Sequence, residues 1–291
     1  MRIGLDFLML NNQKLDTCVA NNFKNLKVSF LFLPFSLLLV IALYLFFKGA
    51  FSFESYANVQ KELFLYLNSL LSKFPNLQLN ITELGDVVIF LPFLTVLIVY
   101  TPKFWESLLT SLVVSSIFTN LLKRIFAVPR PAAMFDHDSF VILGDTLSGN
   151  TSLPSGHSIA TFTITTTIFF AFMPQKKTLK VGWFFFVFLI GLIIVSSRVG
   201  VGAHYPFDVL IGSIIGYISA IVGVYISKKY NFWAWLTHKK YYPITLCLFS
   251  ICAFALINKI LETNLIVFYF SLVSLLITTF IITYIYVKKK Y

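Results

Sequence analysis

Three short clusters in this chain combine residue types and spacings that suit phosphate chemistry. They are Lys123 with Arg130-Pro131, then Pro154-Ser155-Gly156-His157, then Ser197-Arg198 followed by His204 and Asp208. Together they supply three fixed cations, two imidazoles, one carboxylate and a glycine at a helix start. Such a set could grip a tetrahedral anion while one imidazole attacks it and the other transfers a proton.

Each cluster has its own local logic. Lys123 closes an apolar run, and Arg130 sits in Ala127-Val128-Pro129-Arg130-Pro131, where two prolines hold the backbone extended. Arginine offers phosphate a planar fork and lysine a compact charge. Taken alone, both cations read equally as anchors snorkelling to an interface. Ser155 can cap a helix or bond a phosphate oxygen, Gly156 lets a ligand approach the backbone, and His157 falls in the first turn. Unpaired N–H groups and the dipole at such a start attract anions. Pro206 is expected at the first position of the next helix, with Tyr205 as its cap and Asp208 third, reaching back across the start. Asp208 could then accept the N–H of His204 and fix its tautomer, as a nucleophilic imidazole requires. Alone, Asp208 would merely complement the helix dipole.

The elements that must position these clusters are apolar. Of 291 residues 58% are hydrophobic and only 12% charged, and mean hydropathy is +0.83, too little charge to cover a water-soluble surface. Apolar runs at 28–47, 85–100, 104–122, 155–173, 181–197, 207–227, 241–257 and 264–287 each approach the roughly 20 residues that cross a bilayer. The expected fold is therefore an all-α, polytopic membrane bundle of about eight spans, with seven as the alternative count. The run at 85–100 is opened by Gly85 and Asp86 and interrupted by Pro92, whose freed backbone groups neighbouring helices can satisfy.

Lysine placement orients the bundle. With the N-terminus inside, Arg2, Lys14, Lys24, Lys27, Lys103, Lys176, Lys177, Lys180, Lys228, Lys229, Lys239, Lys240, Lys288, Lys289 and Lys290 are cytoplasmic. Lys48, Lys61, Lys73, Lys123, Arg124, Arg130, Arg198 and Lys259 are external. Fifteen against eight follows the positive-inside rule, with both termini cytoplasmic and all three clusters on the outer side. The net charge of +11 then reflects topology and anionic lipid, with no nucleic-acid partner.

Residues 1–27, with Asp6 and Asp16, read as a cytoplasmic extension before an uncleaved anchor. Residues 28–227 form the core, and 228–291 add a cytoplasmic loop and two further spans. Within the external segment 48–84, Leu63, Phe64, Leu67, Leu70 and Leu71 have the spacing of a helix on the membrane surface, either a structural tie or a substrate gate. Residues 132–153 form a second external loop, with turn residues at Gly144, Gly149, Asn150 and Ser152. Asp136, His137 and Asp138 in it read as a solvated tip, with contact to a headgroup or binding of a cation as the alternatives. Cys18, Cys247 and Cys252 provide no disulfide or metal framework.

The segments Lys123-x6-Arg130-Pro131, Pro154-Ser155-Gly156-His157 and Ser197-Arg198-x5-His204-x3-Asp208 resemble the tripartite signature of the type 2 phosphatidic acid phosphatase superfamily, which also includes soluble vanadium haloperoxidases. The resemblance covers roughly residues 85–227 and departs at no signature position. It implies a six-helix phosphatase core and cofactor- and metal-independent phosphoryl transfer through a phosphohistidine. His204 would be the nucleophile, Asp208 its orienting carboxylate and His157 the proton donor. Lys123, Arg130, Ser155, Gly156 and Arg198 would bind phosphate.

The substrate implied is a membrane lipid bearing a phosphate monoester or diphosphate: lipid A, undecaprenyl diphosphate, phosphatidylglycerophosphate or phosphatidic acid. The site would face the periplasm from a bacterial inner membrane. Phosphotransfer to a lipid hydroxyl would use the same residues. From other classes, a transporter or a silent lipid-binding relative remain as readings, and oligomeric state is undetermined at this level.

Overall fold

The computed structural model describes residues 14–288, so Arg2, Asp6, Lys289 and Lys290 lie outside the described residues. Among those described, every regular element is helical. Helix α1 covers 14–24. It is followed by α2 (Phe32–Phe47), α3 (Phe53–Val59), α4 (Lys61–Leu71), α5 (Pro75–Glu83), α6 (Val87–Leu94), α7 (Leu97–Tyr100), α8 (Pro102–Phe126) and the single turn α9 (Pro131–Met134). The second half holds α10 (Gly156–Ala171), α11 (Lys177–Gly200), α12 (Pro206–Lys229), α13 (Tyr242–Thr263) and α14 (Ile266–Lys288).

Helix α10 forms the axis of the bundle, packed against α8, α11 and α12. Its Ser, Thr and Ala residues, with glycines opposite, let backbones approach closely, the usual basis of helix association in lipid. A Cβ at Gly216 would collide with the Ile159 carbonyl, and one at Gly223 with Ser111. Hydroxyls stitch the same seams: Thr163 Oγ1 donates to the Gly216 carbonyl at 3.2 Å and Ser111 Oγ to the Ala220 carbonyl at 3.2 Å.

Against the expected eight or seven spans, six helices among the described residues are long and apolar enough to cross a membrane, or seven if α5 and α6, bent by 73°, count as one. Two runs fall short for different reasons. Helix α10 has only 16 residues, because it starts at the phosphate-type cluster and lies inside protein rather than lipid. The 85–100 run breaks into α6 and α7, with Asp86 capping α6 and Pro92 inside it. Helix α14 satisfies carbonyls there, as Ser271 Oγ donates to Ile89 at 3.0 Å and Ser274 Oγ to Phe93 at 2.8 Å.

The external segment also differs from the expected surface helix. It forms three short helices broken at Gln60 and Phe74; α4 and α5 pack onto α11, and α3 reaches α12 through Tyr56 and Asp208. Phe64 is completely buried against Phe135, Phe140 and Tyr205, while Leu63 and Leu70 stay exposed. Tyr56, Gln60 and Asn68 turn inward with Phe64. A buried polar group needs a partner, and each finds one at the site end of the bundle. The 1–27 extension likewise docks where it is described: Val19, Phe23 and Leu26 enter the core, and Asn22 Nδ2 donates to the Ala171 carbonyl at 2.9 Å.

Candidate functional site

All three clusters meet at one end of the bundle, where α8 and α11 finish and α10 and α12 begin. Helix α8 ends with Ala127 in the left-handed region, at φ 44°, which reverses the chain into an extended stretch. That stretch pairs with the loop before α10, through Ser152 N–H to Val128 C=O at 2.9 Å and Arg130 N–H to Gly149 C=O at 3.2 Å. Arg130 is thereby aimed across the site, and its Nη1 donates to the Ala203 carbonyl at 3.2 Å. Ser155 caps α10 by accepting from Ser158 N–H at 3.4 Å and Ser158 Oγ at 3.0 Å. Lys123 stands over that helix start: a Cβ at Gly156 would lie 3.5 Å from its Nζ.

The turn from α11 to α12 needs glycine at one point. Gly202 has φ 77°, and any Cβ there would press on the Val141 carbonyl at 2.7 Å. The backbone N–H groups of Ala203 and His204 both donate to the Arg198 carbonyl, at 3.0 and 3.2 Å. Pro206, Tyr205 and Asp208 take the expected helix-start positions, with Tyr205 N–H donating to Asp208 Oδ2 at 3.0 Å.

The expected His204–Asp208 hydrogen bond is absent. His204 Nδ1 lies 3.6 Å from Asp208 Oδ2 and has no hydrogen-bond partner. The carboxylate is already occupied, because Ser152 Oγ donates to Oδ2 at 2.5 Å and Tyr56 OH to Oδ1 at 2.7 Å. Both donors escaped sequence reasoning. Ser152 was read as turn chemistry, and Tyr56 carries no local signal. Burial first, and then the charge of Asp208, hold the Tyr56 hydroxyl well above its ordinary 10.0, so it remains a donor.

His204 is 1% exposed, Asp208 0% and Arg198 6%, whereas Lys123, Arg130 and His157 are half-buried and form the rim. Burial, followed by repulsion from Arg130, Arg198, Lys123 and His157 in that order, holds the His204 imidazole well below 6.5. The folded chain therefore refuses a proton that the unfolded chain accepts as pH falls below 6.5, and the stability this site contributes declines there. The same direction predicts activity. The acid limb of kcat/KM set by His204 is expected below pH 6.5, with the limb of kcat higher once a bound anion offsets the cations. A pH–rate series in which the kcat/KM limb lies at or above 6.5 would contradict this environment.

The other loop candidates form a local turn. Asp136 accepts from Asp138 N–H at 3.2 Å, and His137 Nε2 lies 2.9 Å from the Ala132 carbonyl. Cys18, Cys247 and Cys252 are unpaired. Below the site, α11 and α12 diverge and leave an apolar cleft of about 870 Å³. Its floor is α10 (Phe162, Thr165, Phe169), α2 contributes Leu33 and Leu37, and Leu67, Val199 and Pro206 lie at its upper end beside the His204 turn.

A bundle of membrane-crossing helices with cations, imidazoles and a buried carboxylate at one end defines the class of protein. Residues 104–233 match the PAP2 superfamily. It is 37% identical over 83 residues to the bacitracin transport permease protein BcrC of Bacillus licheniformis. That alignment covers 28% of this chain and 36% of the relative, so the chain spans about a third of the length of the curated relative it matches. A solved structure, the crystal structure of Aquifex aeolicus LpxE, aligns with a TM-score of 0.48 at 27% identity, covering 57% of this chain and 95% of that one.

Proposed function

We propose that this chain is a membrane lipid phosphatase that hydrolyses a lipid phosphate monoester or diphosphate through a phosphohistidine. The observation that carries the proposal is the convergence of Lys123, Arg130 and Arg198 on a buried, neutral imidazole backed by one carboxylate. Three cations facing one carboxylate leave an excess of positive charge that a phosphate would neutralise, and Arg198 Nε still lacks a hydrogen-bond partner. Phosphoryl transfer is governed by positioning and charge stabilisation, which is what this set supplies.

In the proposed reaction Lys123, Arg130, Arg198, Ser155 and the Gly156 N–H hold the equatorial oxygens. His204 Nδ1 faces Asp208, so Nε2 is the nitrogen that attacks phosphorus. The bond to the leaving oxygen breaks as His157 protonates it. Water then attacks phosphorus as His157 takes its proton, the N–P bond breaks, and His204 is regenerated. Positioned proton transfer of this kind contributes about 10²–10⁴-fold. The apolar cleft supports a lipid substrate, since its upper end adjoins the His204 turn and its walls suit a hydrocarbon chain. Orientation with the site facing the periplasm of a bacterial inner membrane, and with both termini cytoplasmic, rests on the lysine distribution.

The name of the Bacillus relative raises transport as a second reading. Against it, the charged side chains of α8, α11, α12 and α13 gather at helix ends and leave the middles of the spans apolar. Glu106, the acid nearest a pathway, is buried and paired with Lys103 at 2.9 Å.

Purified full-length protein offered lipid A, undecaprenyl diphosphate, phosphatidylglycerophosphate and phosphatidic acid, with chelator present, should release phosphate from at least one. Silence across the panel would remove the phosphatase reading. Release only when an acceptor lipid is added would convert it to phosphotransfer, and loss of activity to the chelator would remove metal independence.

A further inference from the structure

We propose that the turn at residues 82–86 positions two members of this site, and that Lys259 holds the turn in place from the C-terminal helix pair. The inference rests on the phosphatase reading above. All of these residues lie outside the span 104–233 that matches the superfamily.

On its inner side the turn meets both site residues. Thr82 Oγ1 accepts from Arg198 Nη1 at 2.6 Å. Gly85 lies against His157, since a Cβ there would stand 3.0 Å from the ring Cδ2 and 3.1 Å from the His157 Cβ. On its outer side, Glu83 and Asp86 flank Gly85 and converge on Lys259, at 2.8 and 3.7 Å from its Nζ. Asp86 also caps α6 through Oδ1, at 2.9 Å from Val88 N–H, and Asn80 Oδ1 accepts from Val267 N–H at 3.2 Å at the start of α14. The bent α5–α6 pair is thus fixed between the site and α13–α14.

Lys259 has two effects in this arrangement. It pins the turn on which the His157 ring rests. It also occupies Glu83 and Asp86, both of which attract Arg198 and would otherwise compete with phosphate for that guanidinium. Removing it should move His157 by a fraction of an ångström, and displacements of that order cost proton transfer about tenfold or more.

Leaving-group dependence separates this role from simple destabilisation. A lipid alkoxide needs a proton as it departs, whereas p-nitrophenolate leaves without one. Lys259→Met is expected to lower kcat on a long-chain lipid phosphate about tenfold while lowering kcat on p-nitrophenyl phosphate far less. Lys259→Arg should restore the ratio, and Gly85→Ala, which pushes directly on the ring, should reproduce the loss. Because unfolded protein depresses both substrates equally, an equal loss in Lys259→Met and in Gly85→Ala, or no loss, would overturn the proposal. Thr82→Val should weaken inhibition by inorganic phosphate several-fold, with Thr82→Ser retaining it; unchanged inhibition would overturn the Arg198 arm. Wild-type protein inactive on both substrates would instead sink the phosphatase reading itself.

Discussion

His204→Ala is expected to abolish phosphate release, by ~10⁴-fold or more, because it removes the ring nitrogen that forms the covalent intermediate. The variant should fold. The turn around position 204 is held by backbone bonds to the Arg198 carbonyl and by the Gly202 conformation, neither of which needs the imidazole. Its affinity for inorganic phosphate should persist or rise, since Lys123, Arg130 and Arg198 remain and one buried ring no longer competes for space. Phosphate release by the purified variant, measured beside its inhibition by inorganic phosphate, checks both halves. Turnover near that of the wild type would dismiss His204 as nucleophile.

Asp208 should produce the second largest effect, and it should show in stability as well as rate. In Asp208→Ala the Ser152 hydroxyl, the Tyr56 hydroxyl and the Tyr205 N–H, all buried, lose their acceptor. Stranding buried donors costs roughly 1–3 kcal/mol each, so a loss of about 3 kcal/mol or more is expected on thermal unfolding in detergent. Asp208→Asn keeps one acceptor oxygen and should be less destabilised. It should still lose about 10²–10⁴-fold in turnover, because no negative charge then stabilises the imidazolium. An Asp208→Ala protein that is both stable and active would mean that the carboxylate is incidental.

The legibility of this site in sequence followed the range of the interactions involved. Pro206 at a first helical position, Asp208 reaching back to Tyr205 and Ser155 capping α10 are decided within a few residues, and each took its expected place. Capping is a local competition for unpaired N–H groups, so composition over four residues reveals it. The His204–Asp208 contact was legible as a pairing but not as a distance. Whether the imidazole wins the carboxylate depends on rivals elsewhere, and Ser152 and Tyr56 reach it first.

Those rivals could not be found by spacing. Tyr56 lies 152 residues from Asp208, and Thr82 lies 116 from Arg198. Periodicity in 59–74 correctly indicated a helix with an apolar face, yet lipid and protein are equally good places to bury Phe64. The chain placed it against Tyr205, which turned the external segment from a surface helix into a cover for the site. The run at 155–173 became a helix enclosed by protein for a related reason. A 16-residue helix is short for a bilayer but sufficient when α8, α11 and α12 surround it.

The order of charged and apolar residues along the chain determined by itself that this protein is helical, lives in a membrane and carries three clusters suited to an anion. Hydropathy and helix-end chemistry act over single turns, so no partner was needed to read them. Which groups crowd Asp208, what stands against His157 and how the last two helices reach the site were decided only by tertiary packing. Those outcomes depend on which buried donors and charges are brought together from distant segments, and burial makes each such pairing too costly to leave unsatisfied.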